Sequence, residues 1–73
     1  MELKNSIGKV IKSARKEKEI TQYELAERVG ISRTYLSDIE CGRYIPSVNK
    51  LVRISIFLDL DLNLFKNDGN TSV

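Results

Sequence analysis

The stretch ERVGISRTYLSDIE, residues 27–40, decides the fold. Val29 closes an apolar set begun by Leu25 and Ala26, and Leu36 and Ile39 open another. Each set has the spacing of one face of a helix. Gly30 stands between them. A glycine there takes a left-handed backbone at little steric penalty, so it ends one helix and lets a second begin almost at once. Helices joined by so short a turn cannot lie flat against each other. They cross steeply, and one of them is pushed outward. Ala26 suits that crossing, because a small side chain is needed where two backbones approach. Ile31 and Leu36 would hold the angle by burial.

Working outward, Thr21 and Glu24 have the spacing of a capping box and predict a helix over residues 22–29. Ser32 caps the next helix, residues 33–41, which Gly42 ends as Gly30 ends its predecessor. Leu3, Ile7, Val10, Ile11 and Ala14 fall on one stripe with lysines opposite, which predicts a first helix over residues 5–18. Pro46 keeps Ile45 out of the helical region. Ser47 is placed to cap a fourth helix, residues 48–58, with Val48, Leu51, Val52, Ile54, Ser55 and Leu58 turned inward. LDLDLNLF, residues 58–65, alternates like a strand. A lone strand would leave its backbone unpaired, which favours a short fifth helix capped by Asp61, with Leu60, Leu64 and Phe65 inward. Residues 67–73 are polar and read as a frayed tail. The expectation is one all-α domain over residues 1–73, its ordered core about residues 5–66, without repeats or linkers.

Composition narrows the function. The 73 residues suffice for one small domain with a modest core, which a partner subunit would help to stabilise. A single cysteine and no histidine exclude an internal disulfide, a structural zinc site and histidine acid–base chemistry. No metal, cofactor, small-molecule ligand or enzymatic activity is expected. Cys41 reads as a small, partly buried filler. No apolar run approaches the roughly 18 residues of a membrane span, and no charged start leads into a hydrophobic stretch, so a cytoplasmic protein is expected. Net charge is only +2, but residues 1–19 hold six basic groups against three acidic ones. That basic first helix could face a polyanion or simply be a solvated face; charge alone leaves both open.

The outward helix says more. Its inner face is Leu36, Ile39 and part of Tyr35; its outer face is Arg33, Thr34, Ser37 and Asp38, all short or hydrogen-bonding side chains. A helix of that width and polarity fits the major groove of duplex DNA.

TQYELAERVGISRTYLSDIECGRYIPS, residues 21–47, resembles the lambda-repressor-like (Cro/C1-type) helix-turn-helix family. Residues 33–40 are similar to restriction–modification controller proteins and to small phage and mobile-element repressors. The likeness runs from about Ile7 to Phe65. It implies a compact five-helix domain that binds a two-fold symmetric, palindromic operator as a homodimer and regulates transcription, by blocking RNA polymerase or by touching it. It also implies site roles. Gln22 would meet a phosphate and brace the recognition helix. Arg33, Thr34 and Ser37 would lie at or near base edges, with Arg33 able to donate two bonds to guanine, and Ser32 is a further DNA-binding candidate at the helix start. Asp38 would face the groove, either accepting from cytosine or being oriented by Arg33. Arg43 and Tyr44 would lie on the DNA backbone, though Tyr44 reads equally well as packing. Cys41 departs from the asparagine or arginine usual in the family, and Asp59 from the glycine or asparagine usual after the fourth helix; a left-handed backbone at Asp59, if adopted, carries some energetic cost.

Family members often pair an arginine of the first helix with a glutamate ending the third. Arg15 and Glu40 stand at those places, and a partly buried ion pair is expected to hold the recognition helix in position. Ile56, Phe57 and Leu62 remain after the core is filled and are candidates for the dimer surface. The same apolar excess would serve an antitoxin-type module whose main surface binds another protein. Non-specific binding of RNA or single strands is disfavoured, because the three tyrosines and two phenylalanines are scattered and build no stacking platform.

Overall fold

Each helix after the first begins on a hydroxyl side chain. Thr21 Oγ1 accepts from the Glu24 N–H at 3.0 Å, while the Glu24 carboxylate accepts from the Thr21 N–H at 3.2 Å. The box therefore satisfies two donors reciprocally. Ser32 Oγ accepts from the Tyr35 N–H at 3.0 Å and Ser47 Oγ from the Lys50 N–H at 3.3 Å. The computed structural model describes residues 3–61. Among them run α1 (Leu3–Glu17), α2 (Gln22–Val29), α3 (Arg33–Glu40) and α4 (Val48–Leu58), with no strand.

The helix ends follow backbone chemistry. Gly30 takes φ 77° and donates to the Ala26 carbonyl, which also accepts from the Ile31 N–H at 3.0 Å. Gly42, at φ 81°, turns the chain away after α3. Glu19 and Asp59 both sit at φ 58° without being glycine, a conformation that costs about 1–2 kcal/mol for a residue with a Cβ. The sequence raises that backbone for Asp59 and gives no sign of it at Glu19. Arg53 Nη1 donates to the Val29 carbonyl at 3.3 Å, so α4 covers one of the carbonyls that the end of α2 leaves open.

Ile7, Ile11 and Ala14 of α1 meet Leu25, Ala26 and Val29 of α2, Leu36 and Ile39 of α3, and Ile54 and Leu58 of α4 in one core. Ile20, Ile31, Tyr35, Leu51, Phe57 and Leu60 pack around it, half-buried. Several expectations need correction. Val48 does not face inward: it is 78% exposed, because the first turn of α4 points past the core. Leu3 is likewise exposed, beyond the reach of the α1 stripe. The third helix ends at Glu40, one residue early, so Cys41 falls in the turn and is exposed instead of filling a gap. Phe57 leans on the core and is half-buried, so only part of its ring is left over as surface. The fifth helix, with Leu62, Leu64 and Phe65, lies outside the described residues, as does the tail over residues 67–73.

Candidate nucleic-acid interface

The pose of α3 is set by one buried carboxylate. Glu40, the last residue of α3, accepts from Arg15 Nε at 2.8 Å and from Arg15 Nη2 at 3.0 Å. The third nitrogen of the guanidinium, Nη1, donates to the Ile20 carbonyl at 2.8 Å. Gln22 Nε2 donates to Glu40 Oε1 at 3.0 Å. A single carboxylate thus joins α1, α2 and α3, and Arg15 ties in the α1–α2 connection. The two side chains of the ion pair are 10% and 2% exposed, so little water screens them.

Gly8 completes this seat, a role that apolar spacing does not assign to it. A Cβ there would lie 2.9 Å from the Glu40 carbonyl oxygen and would overlap the Ile39 carbonyl oxygen as well. The backbone of α1 therefore lies directly against the C-terminal turn of α3. An isolated glycine inside an otherwise amphipathic helix was the only available signal.

On the far side, α3 turns Arg33 and Thr34 to solvent, while Ser37 and Asp38 are half-buried. Among the described residues Arg33 has no ion-pair partner. Its guanidinium stands free at the start of α3, beside the exposed Ser32, whose hydroxyl oxygen is engaged in the cap. Asp38 is not oriented by Arg33. Its Oδ1 accepts instead from Arg43 Nη1 at 3.0 Å, and its carbonyl accepts from the Arg43 N–H at 2.9 Å. Gln22 is half-buried and spends one of its two amide hydrogens on Glu40.

Tyr44 is 52% exposed, and its ring centroid lies 6.3 Å from that of Tyr35. Lys50 Nζ stands 5.9 Å from the Tyr35 centroid, a cation over an aromatic face. Tyr35 and Lys50 were not among the expected site residues, yet both border the start of α3. With Gly30, Ile31, Ser32 and Ser47 they line an open depression of about 450 Å³. Lys50 could not have been placed there from sequence, since only the packing of α4 against α2 carries it to α3. Of the residues expected at a dimer surface, Ile56 is 72% exposed. Among the described residues there is no cluster of histidine, cysteine, aspartate and glutamate able to hold a metal ion, and no helix long and apolar enough to cross a membrane.

A helix-turn-helix family model matches residues 11–65. The ImmF control region 10 kDa protein of Bacillus phage phi105 is 57% identical over 60 residues, covering 82% of this chain and 67% of that protein. The N-terminal DNA binding domain of SinR from Bacillus subtilis is 38% identical, with a TM-score of 0.79, and the likeness covers 88% of this chain and 96% of that one. The wild-type restriction–modification controller protein C.Esp1396I is 32% identical, with a TM-score of 0.77, over 89% of this chain and 86% of the other. Other curated relatives are longer; this chain spans 40% of one repressor and 57% of another regulator that it matches.

Proposed function

This chain belongs to the helix-turn-helix family, a family of DNA-binding transcription regulators and not of enzymes, and from that membership we propose that it binds a palindromic operator as a homodimer, with α3 in the major groove of each half-site. The observation that carries the reading is the combination at α3. Its inner end is held by the buried Arg15–Glu40–Gln22 network, and its outer start offers an unpaired arginine. A recognition element needs both, because base readout fails when the reading helix can shift by an ångström or so.

In this reading Arg33 donates to a guanine, Thr34 and Ser37 contact neighbouring base edges, and Ser32 lies close to them at the helix start. Gln22 directs its remaining amide hydrogen to a phosphate and transmits that contact to α3 through Glu40. Arg43 and Tyr44 meet the backbone beyond α3. Phosphate contacts set register and base contacts set sequence. Ile56 anchors the dimer, aided by Phe57 and Leu62, and would set two recognition helices about one DNA turn, roughly 34 Å, apart. The five-helix form of the domain, its last helix after Asp61, is part of this reading and rests on sequence alone. So do a cytoplasmic location and an effect on RNA polymerase, by blocking or by contact.

Selection of bound sequences from random duplex DNA, at fixed salt, tests the proposal. The wild type should enrich a palindrome, and Arg33→Ala should relax one symmetric position while other positions persist. Absence of any enriched motif, with binding that only weakens smoothly as salt rises, would refute it. The rival reading, a module that mainly binds another protein, draws on the same exposed Ile56. A stable 1:1 complex with a separate protein, in place of a self-dimer, would favour that rival.

A further inference from the structure

The ion pair between Asp38 and Arg43 sits oddly in a DNA-facing surface. Of the four charged residues between Ser32 and Tyr44, Glu40 is consumed by Arg15, and Asp38 and Arg43 neutralise each other. Only Arg33 is left uncompensated. The pair is also asymmetric: the Asp38 side chain is 23% exposed and that of Arg43 is 64% exposed. The carboxylate is therefore the seated partner, fixed on α3, and the arginine is the one able to leave. Its backbone is tied to the same residue by the bond from the Arg43 N–H to the Asp38 carbonyl, so the guanidinium can swing only about a point close to Asp38.

We propose that Asp38 is a specificity-determining residue that acts through Arg43, holding its guanidinium on α3 and withholding it from the phosphates of non-operator DNA. The inference rests on the DNA-binding reading above. To move its guanidinium off α3 and onto the phosphate backbone, Arg43 gives up its 3.0 Å bond and leaves the Asp38 carboxylate facing a polyanion. On an arbitrary duplex nothing offsets that loss. On the operator, a cytosine N4 amino group opposite Asp38 donates to the carboxylate, and Arg43 is released to the backbone. The discrimination resides in the exchange of partners, so Asp38 lowers affinity for most sequences and spares the right one.

The test compares the wild type with Asp38→Asn, Arg43→Ala and the double variant, on a random-sequence duplex and on the selected operator, across a salt series. Asparagine preserves shape and removes the charge, and both positions are far enough from the core for the variants to fold, which circular dichroism checks. If Asp38 withholds Arg43, Asp38→Asn gains one phosphate contact on random DNA. The slope of log affinity against log salt then steepens by about 0.9, which makes the fall in affinity between 50 and 200 mM salt about 3.5-fold larger than for the wild type. The ratio of operator to random affinity falls at the same time. In the Arg43→Ala background, removing the charge of Asp38 leaves the slope unchanged. An unchanged slope in Asp38→Asn, or the same change with Arg43 absent, overturns the proposal, since Asp38 would then act by its own charge or not at all. The random duplex reads the pair whether or not the wild type prefers an operator; lack of any preference would refute the underlying DNA-reading role instead.

Discussion

Replacing Glu40 with alanine should unfold this domain far more readily than the loss of one side chain would suggest. The substitution leaves the Arg15 guanidinium in a site where its side chain is 10% exposed, without its carboxylate. Arg15 keeps the bond to the Ile20 carbonyl, which compensates only in part. Gln22 loses its acceptor as well. Removing one partner of a buried pair costs about 3–5 kcal/mol. A chain of 73 residues has roughly 4–11 kcal/mol of total stability at 0.05–0.15 kcal/mol per residue, so a large share of that stability is at stake. At about 4–8 °C per kcal/mol for a domain of this size, the midpoint should fall by at least about 12 °C. Urea and thermal unfolding followed by circular dichroism at fixed protein concentration give the number. The companion variant Arg15→Met with Glu40→Leu removes both charges and should recover most of the loss, since well-packed apolar replacements of buried pairs are near neutral or better. It should still bind DNA poorly, because Gln22 has no carboxylate to hold it. A loss below about 1 kcal/mol for Glu40→Ala, the value of an exposed pair, would refute the reasoning.

Gly8→Ala should destabilise by about 1–3 kcal/mol in spite of alanine's better helix propensity, because the new methyl meets the backbone carbonyls of Ile39 and Glu40, which cannot rotate away. An unchanged or raised thermal midpoint would show that α1 and α3 can separate freely. Ser55→Ala should act in the other direction. The Ser55 hydroxyl is buried in the core and has no hydrogen-bond partner, so removing it should add about 1–2 kcal/mol from lost desolvation and better helix propensity. A lower urea midpoint for that variant would contradict the assignment.

The legible parts of the molecule are those governed by neighbours in the chain. Thr21 and Glu24 cap α2, Gly30 closes it and Ser32 opens α3, all through contacts within about one helical turn. Their spacing in the sequence is enough to infer them. The inward set of α2 and α3 was readable for the same reason, since helical periodicity alone separates Leu25, Ala26, Val29, Leu36 and Ile39 from Arg33 and Thr34. Arg15 and Glu40 were paired by family likeness and not by periodicity, because 25 residues separate them and nothing local joins them. Periodicity misled at Val48. It gives the angle of a residue around α4 but not how far the core extends along the helix axis, and Val48 stands beyond its end.

By itself, then, the chain determined its four described helices, the glycine turn between α2 and α3 and which face of α3 looks outward, because caps, glycine backbones and apolar spacing act over a few residues. Tertiary structure decided the rest. It made Gly8 indispensable to the seat of α3, and gave Gln22 to the same carboxylate that Arg15 holds. It brought Lys50 over Tyr35. Each of these depends on where a second element lies in space, and burial and electrostatics between distant residues are set only when the helices pack.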